Sequence, residues 1–179
     1  MGFFKRLLGH AADGEHGGVA CRQAAAGTRM LVVDDSPTIC AVLGRMLERD
    51  GYVVQKAADG EGALELARAA LPELIFLDIV LPGINGFAVL RALRHDPLTA
   101  HIPIVMISGN PQATEQFYVQ RFGADDFIKK PFGHAEVAAC IHKLTVAGRL
   151  PVREVVLETV APSVPEERTV PGPVAGIAA

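Results

Sequence analysis

Residues 73–87 read ELIFLDIVLPGINGF. Leu74 to Leu77 run without alternation into Asp78, and Pro82 and Gly86 follow at intervals of four residues. An uninterrupted apolar run of this length, ended by a polar residue and a Pro-Gly turn, reads as a strand covered on both faces, the pattern of a parallel sheet between two layers of helices. A carboxylate placed directly after such a run is costly to desolvate without a partner, so Asp78 is a candidate functional residue.

Working outward, the run IPIVMI at 102–107 has the same character, and strands are predicted at 29–34, 52–56, 73–78, 102–107 and 125–129. Helical periodicity fills the intervals. Ser36 caps a first helix with Pro37 at its first position, and Ile39, Val42, Leu43, Met46 and Leu47 share one face. Further helices are predicted at 60–70 and 86–94, from Asn110-Pro111 onward, and at 133–146. Five β-α pairs make an α/β fold, a doubly wound five-stranded parallel sheet with five helices.

The 179 residues are 50% hydrophobic and 21% charged with a net charge of −3, which suits one globular domain and gives no electrostatic argument for a nucleic-acid partner. No stretch of 18 apolar residues exists, since Asp78 and Pro82 interrupt the most apolar region, so no membrane span is expected. The opening MGFFKRLLGH lacks a long apolar core and cleavage site, and a cytoplasmic location is the expectation. Cys21, Cys40 and Cys140 show neither disulfide nor zinc spacing, and Cys140 falls on an apolar helical stripe. Residues 1–28 read as a flexible arm, 29–148 as the domain, and 149–179, with five prolines, as a disordered tail.

Ligands of open parallel sheets bind beyond the carboxyl ends of the strands. Asp34 and Asp35 end the first predicted strand, Asp78 the third, Ser108 the fourth and Lys130 the fifth, so all five converge on one sheet edge. Three carboxylates brought together repel one another and call for a cation, and oxygen ligands favour Mg²⁺, which is commonly held by carboxylates together with phosphate oxygens. An ammonium and a hydroxyl beside them suit a phosphoryl group, leaving one carboxylate as nucleophile. Taken singly, Asp34-Asp35 could be an acidic helix start, Lys130 a solvated lysine and Phe127 a core residue; together they point to phosphoryl chemistry. A dinucleotide or P-loop fold would need glycines where Asp35-Ser36-Pro37-Thr38 stand, and a haloacid-dehalogenase phosphatase a second Asp at the position of Val80.

From about Arg29 to Leu144 the chain resembles the receiver domain of bacterial two-component response regulators, the CheY-like superfamily. The matching strings are VVDDS, LDIVLPGING, ISG and GADDFIKKPF, and the steps from Asp35 to Asp78, Ser108 and Lys130 are 43, 30 and 22 residues. The resemblance implies a flavodoxin-like sheet of order 2-1-3-4-5 and a receiver that assists its own aspartyl phosphorylation and dephosphorylation without a separate catalytic domain; the residues after Gly148, too few and too proline-rich for a helix-turn-helix domain, make a stand-alone receiver the expectation. It implies Asp78 as phosphoacceptor, Asp35 as a direct Mg²⁺ ligand, Asp34 as one acting mostly through water, and the Val80 carbonyl as a further ligand. Ser108 and Lys130 would contact the phosphoryl group, Phe127 would be the switch aromatic together with Ser108, and Lys130-Pro131 would be cis.

By the same resemblance the donor is a sensor histidine kinase or acetyl phosphate. The output is a target protein bound on the face of the fourth helix, fifth strand and fifth helix, where Phe117, Tyr118 and Phe122 add aromatic area. The strings DDSPT and DIVLPGINGF are most like chemotaxis and twitching-motility receivers. The alternative is an adaptor that uses the fold without phosphorylation. Asn85, where many members are acidic, and Ser108, where Thr is equally common, are the small departures.

Overall fold

In a computed structural model of the protein, residues 20–109 and 123–156 are described. Seven strands and four helices follow one another along them: β1 (Ala20–Ala24), β2 (Arg29–Val33), α1 (Pro37–Arg49), β3 (Val53–Ala57), α2 (Gly60–Ala70), β4 (Leu74–Asp78), α3 (Gly86–His95), β5 (Ile104–Ser108), β6 (Asp126–Lys129), α4 (His134–Val146) and β7 (Val152–Val156). Five strands form one sheet in the order β3-β2-β4-β5-β6, every neighbouring pair parallel. Counting those five alone, the order is 2-1-3-4-5, as the resemblance implied. The predicted helix from Asn110, with Phe117, Tyr118 and Phe122, lies outside the described residues.

The continuous apolar runs have the reason expected of them. All residues of β4 and β5 are buried, and successive side chains feed two separate cores. Leu31, Val33, Ile75, Leu77 and Met106 pack with Ala63, Ala67, Val89, Leu90 and Leu93 of α2 and α3. Met30, Val32, Leu74, Phe76, Val105 and Ile107 pack with Leu43, Leu47, Val137, Ile141 and Leu144 of α1 and α4. Cys140 is buried in the second core, as its place on the stripe predicted, and burial pushes its thiol pKa up.

Local chemistry sets the ends of the helices. Ser36 accepts from the Ile39 N–H, Asp59 from Gly62 and Asn85 from Ala88, three side-chain N-caps. At α4, Glu136 reaches back to the Gly133 N–H at 2.9 Å, half of a capping box.

One correction concerns the ends. Residues 1–28 and 149–179 read as lacking structure, yet β1 falls in the first segment and β7 in the second, and the two form a separate two-stranded sheet. Ala24 and Leu150 are buried in the α1/α4 core, and Ala25 N–H donates to Pro151 O at 2.9 Å. The sequence hid this because ACRQA carries no strand periodicity of its own, and among the described residues each strand pairs with one far away along the chain.

Candidate functional site

The parallel ladder brings the candidate residues to one edge. Val33 pairs with both Ala57 and Leu77, so Asp34 and Asp78 leave adjacent strands together. Asp78 pairs with Ile107, and Ser108 with Lys129, which places Ser108 and Lys130 one step further along the next two strands. The Lys130 N–H donates to Ser108 O at 2.7 Å, and the Lys130-Pro131 peptide is cis.

Asp34, Asp35 and Asp78 each offer a carboxylate oxygen to a cluster whose members lie within 4.8 Å of one another. Asp34 is 1% exposed and Asp78 4%, whereas Asp35 opens to solvent. Lys130 Nζ bridges the two buried acids, 2.6 Å from Asp34 Oδ2 and 2.7 Å from Asp78 Oδ2. Asp34 Oδ1 accepts from the Ser36 N–H at 2.9 Å. Asp34 Oδ2 has the ammonium beside it in charge contact but no well-aligned hydrogen bond. Among the described residues, the Asp35 carboxylate has neither a hydrogen bond nor an ion pair.

Burial raises the pKa of the Asp78 carboxyl and the charge of Asp34 adds to it, while the bond and charge of Lys130 pull it down without cancelling the rise. For Lys130 burial works downward, but Asp34 and Asp78 outweigh it and the net shift is upward. The two oxygens of Asp78 are unequal: Oδ2 is held by the ammonium, while Oδ1 has only a long 3.4 Å contact from the Val80 N–H. Val80 itself is 69% exposed beside the acid.

The loop after Asp78 explains the glycine in the opening string. A Cβ on Gly86 would stand 2.1 Å from the Asp78 carbonyl oxygen and 2.9 Å from Ile79 Cα, so only glycine lets α3 start against the end of β4. Gly86 N–H then donates to Ile79 O at 3.0 Å. Phe127, on β6, is partly buried against the α2/α3 core.

The donor set is oxygen-only and includes one exposed, unpaired carboxylate and one buried oxygen without a well-aligned hydrogen bond. These are the features a small hard cation needs, so Asp34, Asp35 and Asp78 fit Mg²⁺.

A fold of this order with this acidic cluster at the carboxyl edge of the sheet is that of a receiver-type signalling module. A family model for the response regulator receiver domain matches residues 30–142, and the chain belongs to that family. Among curated relatives it is similar to protein PilH of Pseudomonas aeruginosa, 42% identical over 103 residues, which cover 58% of this chain and 85% of PilH. RpaA of Synechocystis, a DNA-binding transcriptional regulator, is 40% identical over 116 residues, 65% of this chain and 48% of RpaA.

The same share of this chain matches only 26% of PleD of Caulobacter vibrioides, at 38% identity. Two solved structures resemble it closely. A response regulator of Chloroflexus aurantiacus superposes with TM-score 0.64 at 32% identity, over 66% of this chain and 98% of its own. The receiver domain of the sensor histidine kinase PA1611 of P. aeruginosa, with a magnesium ion coordinated in its active-site cleft, gives 0.61 at 29%, over 66% and 97%. Among the described residues, no helix is long and apolar enough to cross a membrane.

The sequence reading missed one contributor. Cys40 Sγ lies 3.3 Å from the carbonyl oxygen of Asp34, one helical turn beyond the Ser36 cap. Its distance from the cap was the available signal, because a side chain in the first turn of a helix points back toward the preceding loop.

Proposed function

We propose that this receiver is a phosphorylation switch that takes a phosphoryl group onto Asp78 and signals by binding another protein. The supporting observation is the Asp78 carboxylate, nearly buried, pressed against Asp34, and held by a single ammonium. Oδ1 of Asp78, the less engaged oxygen, attacks phosphorus; the bond from phosphorus to the imidazole of a phosphohistidine, or to the acetate of acetyl phosphate, breaks, and its electron pair leaves with that group. Bound Mg²⁺, held by Asp35, Asp78 and the Val80 carbonyl and by Asp34 mostly through water, would neutralise charge on the phosphoryl oxygens. Lys130 moves its contact from Asp78 to a phosphoryl oxygen, and the Ser108 hydroxyl donates to another.

Drawing Ser108 and Lys130 toward that group alters the packing space beside Phe127, which is how the state reaches the surface. A groove of about 580 Å³ between β6 and α4, lined in part by Phe127, Lys130, Cys140 and Lys143, lies on the side where a target would read it. The location in this reading is the cytoplasm, and the partners are a sensor histidine kinase upstream and a target of the chemotaxis or twitching-motility kind downstream, with no nucleic acid. Incubation with acetyl phosphate and Mg²⁺ followed by intact mass should show one phosphoryl adduct in the wild type and none in Asp78→Asn. Absence of the adduct in the wild type, from acetyl phosphate and from histidine kinases alike, would leave the phosphorylation-independent adaptor as the better reading.

A further inference from the structure

We propose that Cys40 is a positioning residue for the cation site, an inference that rests on the Mg²⁺ reading above. The loop 34–36 is tied at three points. Asp34 Oδ1 accepts from the Ser36 N–H at 2.9 Å, Ser36 Oγ accepts from the Ile39 N–H at 3.4 Å, and the Cys40 thiol donates to the Asp34 carbonyl at 3.3 Å. The first two orient the Asp34 side chain and start the helix. Only the third grips the peptide group that joins Asp34 to Asp35.

That peptide group needs a donor. The sheet ladder ends with Asp34 N–H donating to Ala57 O at 3.1 Å, and the chain then turns away into α1, so the Asp34 carbonyl lies beyond the ladder. The residue is buried, and water cannot replace a missing partner there. Cys40 is the fourth residue of α1, its own N–H makes the first helical bond to Ser36 O at 3.0 Å, and its Cβ tilts toward the helix start. The thiol therefore meets the carbonyl without distorting the helix.

The consequence falls on Asp35. Its carboxylate has no side-chain or backbone partner among the described residues, so the Cα–Cβ direction set by the backbone is what restricts where it can reach. Fixing the 34–35 peptide plane fixes the aim of Asp35 toward Asp78, as an outer-shell hydrogen bond fixes a metal ligand. Asp34, whose buried Oδ2 stands against the Lys130 ammonium without an aligned hydrogen bond, belongs to the same carboxylate cluster.

The test uses the full chain and Mg²⁺ alone, with affinity taken from thermal-shift and calorimetric titrations at constant ionic strength. Cys40→Val keeps the volume and removes the donor; Cys40→Ser restores a donor. We expect Cys40→Val to bind Mg²⁺ about tenfold more weakly, beside a lower melting temperature in EDTA because the Asp34 carbonyl loses its donor, and Cys40→Ser to stay within about threefold of the wild type in affinity on the same grounds. Equal affinity for Cys40→Val and wild type overturns the inference while leaving the metal reading intact. Equal weakening in Cys40→Val and Cys40→Ser also overturns it, because the hydrogen bond is then not the agent. A wild type that binds no Mg²⁺ overturns the metal reading and this inference together.

Discussion

Replacing Lys130 by methionine removes one positive charge and keeps most of the packing volume. Its ammonium is within 2.7 Å of both Asp34 and Asp78, whose side chains are 0% and 6% exposed. Without it two buried carboxylates face each other with oxygens no more than 4.8 Å apart. At an effective dielectric of about 20 that repulsion is about 3.5 kcal/mol, within the range of about 3–5 kcal/mol for removing one partner of a buried pair. In EDTA at neutral pH, Lys130→Met should therefore lose about 3 kcal/mol of unfolding free energy in urea.

Two conditions should shrink that deficit, and they make the reasoning specific. The Asp78 pKa is already raised by burial, and loss of Lys130 removes the influences that pull it down. A carboxyl with a raised folded-state pKa contributes stability below the unfolded value and loses it as pH rises through the folded value. The variant's deficit should accordingly be smallest in acid and grow toward neutrality.

Mg²⁺ should act the same way. A cation at 100 times its Kd stabilises by about 2.7 kcal/mol, and the variant offers it carboxylates that no ammonium shares, so the gap to wild type should narrow when Mg²⁺ replaces EDTA. A deficit equal in EDTA and in Mg²⁺, or a variant as stable as wild type in EDTA, would refute the account.

Gly86→Ala should destabilise by about 3 kcal/mol or more in urea unfolding, because its Cβ would meet the Asp78 carbonyl at 2.1 Å. Arg94→Met should cost about 3 kcal/mol: the guanidinium bonds to Gly123 O, Ala100 O and Ile102 O as well as to Asp125, and only Arg149 would be left to balance that acid. Leu71→Gly should raise stability by about 0.5–1 kcal/mol, since Leu71 caps α2 with φ 46°. Truncation after Gly148 should lower the melting temperature, because it removes buried Leu150, the Arg149–Asp125 pair and β7, together worth about 2–3 kcal/mol; an unchanged melting temperature would show that the paired ends do not support the domain.

What the sequence disclosed and what it withheld divide along one physical line. The buried strands LIFL and IVMI, the cap Ser36, and the acids at strand ends all announce themselves within a few residues, because burial on two faces, helix capping and a carboxylate after an apolar run are local demands. From five such segments a parallel sheet follows, and with it the convergence of Asp34, Asp35, Asp78 and Lys130 on one edge; the order of its strands came from the family resemblance. The β1–β7 pair was illegible because its demand is satisfied only across the whole chain: Ala24 and Leu150 are each small contributions to the α1/α4 core until both arrive.

Cys40 failed to stand out for a different reason. On the helical wheel it is simply another partly buried apolar position of α1, and its value lies in the hydrogen on sulfur, which periodicity does not weigh. Lys130 gives the converse case. Sequence placed it beside a phosphoryl group, whereas in the structure without that group it bridges two acids at ion-pair distance. The ammonium that bridges the two acids is the one the proposed phosphorylated state would claim, so in that reading phosphorylation would break a contact in order to make one. In the proposed reading, coupling between the chemistry at Asp78 and the segment Phe127–Lys130 would run through that exchange, since a Lys130 ammonium drawn to a phosphoryl group would loosen its contacts with Asp34 and Asp78.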